Sequence, residues 1–233
     1  MSNAAATAPD PRLCVQCPTE TAIPVADIFM RGEFVKQIDY YFWINSDWAY
    51  LGADRLEAIA SEYGASINYM PVDLPAVYAR TGGMILGKRA PERQAYRITE
   101  LQRWTRKLGI PLNFSPKFMC PNGDLASCLV IAEKHRGGQP GTLAKSILHA
   151  EWVLEQDISN PDTLLRIAGD LGLDADALMV AATQADIRSE YEKYTEAAIA
   201  AGVFGSPSYV LNGELFWGQD RLDFLEQALE ADR

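Results

Sequence analysis

An α/β fold in two halves, β-α-β and β-β-α, separated by a large all-helical insertion, is what this 233-residue chain predicts. Three observations carry that prediction. A β-branched and aromatic run over residues 38–44 leads into a helical pattern and then into a second strand-like run at residues 67–70. Residues 91–202 then show one helical signal after another, with no strand signal between them. Strand signals return at Ser208, where two runs flank Asn212-Gly213, the pair that a type I′ hairpin turn demands.

Residues 1–36 read as a poorly ordered leader, with a short helix around residues 26–30. They lack a basic start followed by an apolar run, so they do not read as a signal peptide. The first strand gives way to a helix capped by Ser46 or Asp47, with Leu51, Leu56 and Ile59 on its apolar face and Gly64 as its stop. Pro71 ends the regular pairing of the second strand. Pro91 opens a helix with Ile98, Leu101, Thr105 and Leu108 on one stripe, closed by Gly109 and Pro111. Asp124 caps the next helix, which runs to Gly137, and Thr142 caps another through Ile147, Trp152 and Leu154. Shorter helices begin at Asn160-Pro161 and at Asp174, and the last of this block ends at Gly202. The hairpin of residues 208–211 and 214–217 follows, and Asp220 starts a closing amphipathic helix through Leu222, Leu225 and Leu229. This order describes a thioredoxin-like fold. Residues 37–75 and 203–233 would form its core domain, and residues 76–202 the helical insertion.

Composition narrows the function classes. The formal net charge of -10 argues against a nucleic-acid partner. No apolar run approaches the ~20 residues that cross a bilayer, so a cytoplasmic protein with no membrane partner is the expectation. Charge is nevertheless uneven: from Arg80 to Lys107 eight Lys or Arg face two Glu. That stretch is either a solvated helix face or a basic wall beside a site for anions. Cys14 and Cys17 form a CVQC motif, but they precede the first strand. A redox pair needs a helix N-terminus to lower its thiolate pKa, so a tail feature or an adventitious metal binder is the better reading. Cys120 and Cys128 read as small buried hydrophobes. His135 and His149 lack cysteines at a spacing that would complete a zinc site, and no metal is expected.

Three stretches carry chemistry. At the strand-to-helix turn Asn45-Ser46-Asp47-Trp48, a hydroxyl stands at a helix start, where it either caps the helix or holds an anion. In GVFGSPSYV, residues 202–210, Pro207 precedes a strand. A cis Ser206–Pro207 bond there would present the backbone of Ser206 to an extended peptide, whereas a trans bond would make it an ordinary turn proline. In FWGQDR, residues 216–221, Gln219 and Asp220 either cap a helix or receive an amino group.

Together these stretches resemble the 2-hydroxychromene-2-carboxylate isomerases and the related kappa-class glutathione transferases, which share a thioredoxin-like, DsbA-like fold with a helical insertion. YYFWINSDWAYL, VDLPAV, ELQRW followed by LGIPLNF, and above all VFGSPSYVLNGELFWGQDRLDFL carry the resemblance, across residues 37–233. It implies glutathione as cofactor and a small aromatic carboxylate as substrate, isomerised by thiolate addition and elimination. Conjugation of glutathione to small electrophiles is one alternative activity, and a disulfide oxidoreductase-like protein that lacks the redox Cys-x-x-Cys is the other, which the fold alone would suggest. Ser46 would hydrogen-bond the sulfur, and Ser206 beside Pro207 would pair with the cysteinyl backbone. Trp217, Gly218, Gln219 and Asp220 would hold the γ-glutamyl end, with Arg93 supplying a positive charge. Tyr78, Gly87, Lys88 and Phe118 would contact the aromatic substrate. A homodimer is compatible with this pattern. The chain departs from the family at Asp47, where proline usually follows the serine; a carboxylate there opposes thiolate formation unless it caps the helix or faces solvent.

Overall fold

The computed structural model describes residues 36–231; the expected leader helix at residues 26–30, Cys14 and Cys17 lie outside the described residues. Strand β1 (Gln37–Phe42) runs into helix α1 (Asp47–Tyr63) and then strand β2 (Ser66–Pro71), parallel to β1. β1 stops earlier than the sequence suggests because the Ser46 N–H turns back to the Trp43 carbonyl at 2.9 Å. Strands β3 (Ser208–Leu211) and β4 (Glu214–Trp217) complete a four-stranded sheet in the order β2-β1-β3-β4, with β3 antiparallel to both neighbours. Asn212 and Gly213 both take positive φ, 51° and 84°, as the type I′ turn requires.

β1 is a central strand buried on both faces, which explains its lack of polar alternation. Ile38, Tyr40 and Phe42 enter the main core, where the Tyr40 ring stacks on Phe42 at 4.6 Å and on Tyr209 at 5.3 Å. Tyr41 points the other way, into a second cluster with Met70, Val77, Ala198 and Val203. Each such side chain stabilises the fold by roughly 1.5–3 kcal/mol on full burial.

The helices between the strands are α2 (Leu74–Thr81), α3 (Pro91–Leu108), α4 (Asp124–His135), α5 (Pro140–Trp152), α6 (Pro161–Asp170), α7 (Ala175–Ala182) and α8 (Ala185–Ala200). Helices α3 to α8 are the insertion in a thioredoxin-like core. α4 packs against α5, α7 and α8, α5 and α3 lie on α1, and Leu101, Leu129 and Ile147 join the same core as Ile38.

Two caps differ from expectation. α4 is capped at Gly123, with Asp124 as its first residue, its N–H bonded to Asn122 Oδ1 at 3.0 Å. α5 starts at Pro140, so Thr142 lies inside it, and Leu154 falls beyond its end and is half exposed. Pro140 at the first helical position needs no N–H partner and fixes the start there. Helix α2 carries no counterpart in the sequence reading; Asp73 caps it by accepting from Ala76 N at 3.1 Å. Asn160 and Asp174 cap α6 and α7 as expected. A 3-10 turn at Gln219–Arg221 precedes α9 (Leu222–Ala231), so Asp220 sits in that turn and not at the helix start. Among the described residues no helix is long and apolar enough to cross a membrane.

Candidate functional site

The site is built around the N-terminus of α1. Ser46 caps the helix and also reaches the loop at Ser206: its Oγ accepts from Ala49 N at 3.2 Å and donates to the Ser206 carbonyl at 3.5 Å. Ser206 answers from the other side, its Oγ accepting the Trp43 N–H at 2.8 Å. The Ser206–Pro207 peptide is cis. Two segments 160 residues apart in sequence are thereby fixed around one helix start, where the first-turn N–H groups attract negative charge.

Asp47 neither faces solvent nor opposes that field alone. Its side chain is buried, its Oδ1 accepts the Trp48 N–H at 2.8 Å, and its Oδ2 is ion-paired with Arg97 of α3. Burial pushes the Asp47 carboxyl up, and Arg97, the Trp48 N–H and Arg89 oppose that push. The Arg97 guanidinium also lies over the Trp152 ring, 5.8 Å from its centroid.

A cleft of ≈ 720 Å³ opens beside this turn. One wall is Ser206 with Trp217, Gly218, Gln219, Asp220 and Arg221. The other is Arg89, two residues ahead of α3, with Glu92, Arg93, Tyr96, Arg97, Glu100 and Trp104 of that helix and Trp48 of α1 alongside. Part of the basic stretch is thus a wall of the cleft, while Arg103 and Lys107 lie against Tyr96 and Trp104. Gly205 leaves room for the Trp217 indole, which meets the Phe204 ring at 4.6 Å.

The 3-10 turn is held from α1. Arg55 donates to the Gln219 carbonyl and to Gln219 Oε1, both at 3.1 Å, and pairs with Asp223 at 2.6 Å. Gln219 is buried, and its Nε2 has no hydrogen-bond partner among the described residues. Gly52 makes this contact sterically feasible, since a Cβ there would lie 2.9 Å from Gln219 Cβ and 3.0 Å from the Tyr209 hydroxyl. Gly52→Ala is therefore expected to cost about 1–3 kcal/mol through overpacking. Thermal unfolding measures it, and an unchanged melting temperature would show that the turn yields freely.

Of the residues singled out in the sequence, Arg93, Ser206, Trp217, Gly218, Gln219 and Asp220 line one cleft, and Ser46 and Pro207 adjoin it. Tyr78, Gly87, Lys88 and Phe118 do not line it. Tyr78 is half-buried, accepts from Arg89 at 3.3 Å, and packs against Gly83. Gly87 and Lys88 sit in an exposed 3-10 turn (Leu86–Lys88), and Phe118 lies under the Lys117 ammonium at 4.9 Å. Trp48, Tyr96 and Arg97 escaped the sequence reading as site residues. The i,i+4 spacing of Arg93 and Arg97 on one helix was the available signal. Among the described residues no group of three His, Cys, Asp or Glu is arranged to hold a metal.

A four-stranded thioredoxin-type sheet carrying a helical insertion defines the class of this protein. The chain belongs to the family of DSBA-like thioredoxin domains, whose model matches residues 37–230. Within that family it is homologous to the 2-hydroxychromene-2-carboxylate isomerases. It is 32% identical to the 2-hydroxychromene-2-carboxylate isomerase of Sphingobium xenophagum, over 83% of this chain and 98% of that protein. A solved 2-hydroxychromene-2-carboxylate isomerase superposes with a TM-score of 0.72 at 28% identity, covering 84% of this chain and 95% of the other. The human glutathione S-transferase kappa 1 is 22% identical over 85% of this chain and 92% of that protein. The chain thus stands in the isomerase and kappa-transferase branch of the fold, an enzyme lineage.

Proposed function

We propose that the protein is a glutathione-dependent isomerase of small aromatic carboxylates of the 2-hydroxychromene-2-carboxylate type. The observation that carries this reading is the cleft itself, in which Ser206 and residues 217–220 face the basic wall of α3 beside the Ser46 helix start. Two features support a tripeptide thiol as its occupant. Gln219 Nε2 is a buried donor without a partner, and Arg93 makes no side-chain hydrogen bond or ion pair among the described residues. Glutathione brings one carboxylate at each end and an ammonium, which the Arg93 cation, the Gln219 donor and the Asp220 carboxylate complement.

Bound glutathione would supply the thiolate whose addition turns a conjugated double bond into a rotatable single bond and whose expulsion restores it. Ser46 would donate its Oγ–H to the sulfur in place of the long bond to the Ser206 carbonyl. The α1 N-terminus would favour the anion there, and Arg97 would keep the Asp47 charge neutralised. The Ser206 backbone would pair with the cysteinyl residue, and Asp220 would receive the ammonium. Trp48, Tyr96 and Trp104 would bound the space left for an aromatic ring. Tyr78, which accepts from Arg89 at the cleft wall, would belong to the substrate side, with Gly87, Lys88 and Phe118 outside the cleft lining.

Recovery of glutathione is the test. An isomerase returns all of it after many turnovers, and steady consumption would favour the transferase activity for which the kappa relatives are named. The turn at Ser46 holds no cysteine, so insulin reduction is not expected. For the binding residues, Asp220→Ala and Arg93→Ala should each raise the glutathione Kd by about tenfold or more, the effect of losing a charged hydrogen bond. Calorimetry showing unchanged Kd in both variants would remove this placement of glutathione.

A further inference from the structure

Glu151 lies outside the cleft, yet it touches the turn that carries Ser46. It sits in the last turn of α5 and is 0% exposed. Its Oε1 accepts the Cys120 N–H at 2.8 Å, and its Oε2 accepts Asn45 Nδ2 at 3.2 Å. The same Nδ2 reaches the Pro121 carbonyl at 3.0 Å. Asn45 Oδ1 is buried and has no partner among the described residues. One carboxyl therefore joins the residue before Ser46 to the loop that follows α3. That loop is pinned to the end of α5 at two further points, Asn113 N to the Trp152 carbonyl at 2.7 Å and Lys117 N to Glu155 Oε1 at 3.0 Å.

Among the described residues no cation is paired with this carboxyl. The charges of Asp47 in α1 and Asp157 in the segment after α5 act against its ionisation, and it bears in turn on the Cys120 thiol of the loop whose N–H it accepts. Arg97 of α3 is already paired with Asp47. A fully buried carboxylate with two acidic neighbours and no ion pair is unfavourable, and taking up a proton relieves it. That proton needs an acceptor. Asn45 with its amide turned over offers its oxygen, which then stands where Nδ2 now bonds the Pro121 carbonyl, so that carbonyl gives up its donor in exchange. The two orientations of an amide have the same shape and differ only in hydrogen bonding.

We propose that Glu151 is a positioning residue that works as a neutral carboxylic acid, donating to Asn45, accepting from Cys120, and bracing the Ser46 turn without adding an unpaired charge beside it. The functional half of this inference rests on reading Ser46 as the thiolate-binding residue; the proton itself does not. Burial pushes the Glu151 carboxyl up to about 8, helped by Asp47 and Asp157 and opposed by the Cys120 N–H and the Asn45 amide. Burial also pushes the Cys120 thiol up to about 12, so it does not exchange a proton in the same range. The folded value lies above the ordinary 4.5. The stabilising contribution of Glu151 is therefore complete below that ordinary value and is lost as pH rises through about 8. Above that pH the carboxylate also opposes an anion at the α1 N-terminus.

Carbon-13 NMR of the ligand-free protein reads the proton directly. The Glu151 Cδ resonance is expected to titrate with a midpoint near 8, the Asn45 side-chain amide moving with it, and Glu151→Gln should abolish both changes. A wild-type Cδ midpoint within the ordinary carboxylate range would overturn the proposal, with no variant needed. Calorimetry with reduced glutathione at about pH 6.5 and about pH 9.5 reads the consequence, because ionisation of the ligand's own thiol affects wild type and Glu151→Gln alike. The ratio of wild-type to variant Kd should rise at least about threefold between those two values. A flat ratio beside a midpoint near 8 would overturn the electrostatic role of Glu151. Absence of glutathione binding at both values would overturn the reading of Ser46 and leave the Cδ titration to decide the proton.

Discussion

Ser46→Ala is expected to lower turnover by more than about tenfold while glutathione affinity changes far less. The size follows from one lost hydrogen bond to a thiolate, about 1.5–3 kcal/mol, at 1.36 kcal/mol per tenfold in rate. The structure adds a complication, since Ser46 Oγ also caps α1 through Ala49 N. Loss of that cap costs about 0.5–2 kcal/mol of stability in the alanine variant and only a few tenths when glycine replaces the cap. Ser46→Gly thus separates the two roles. Both variants should lose turnover alike, and the alanine variant alone should melt distinctly lower. Full turnover in Ser46→Gly would reduce the hydroxyl to a helix cap.

Much of this site was legible because its signals are local. The Asn212-Gly213 turn, the Ser46 helix start and the proline before β3 each announce themselves within a few residues, and all three hold in the structure. The caps of α4 and α5 were misplaced for the same reason. Asp124 and Thr142 are good capping types, but Asn122 and Pro140 stood two residues away and local chemistry does not rank them.

What stayed hidden is long-range pairing of polar groups. Nothing near Asp47 in sequence says that Arg97 will neutralise it, 50 residues on. Nothing near Asn45 points to Glu151, 106 residues away, because a glutamate late in a helix reads as a solvated one. Helix α2, eight residues long, gives too few turns for an apolar stripe to show. The residues matched to the aromatic substrate were carried by position in a resemblance, and position alone does not fix which side chains share a cleft.

Arg97→Ala is expected to produce the largest loss of stability. The Asp47 and Arg97 side chains are 7% and 10% exposed, so removing the guanidinium leaves a buried carboxylate with no ion pair, held by the Trp48 N–H and the charge of Arg89. Breaking a buried pair in this way costs about 3–5 kcal/mol, a fall in melting temperature on the order of 10 °C for a chain of this size. Loss of Arg97 also removes a contribution that lowers the Asp47 pKa, so the carboxyl should hold its proton to higher pH in the variant. Asp47→Ala alone strands the guanidinium, which retains the Trp152 ring and should therefore cost less. The double variant Asp47→Ala, Arg97→Met removes both charges and keeps apolar volume over Trp152, so it should recover much of what Arg97→Ala loses. A double-mutant cycle by chemical denaturation measures the coupling. Losses that simply add, with the double variant less stable than either single one, would mean that α3 is held to the Ser46 turn by packing and that the ion pair is incidental.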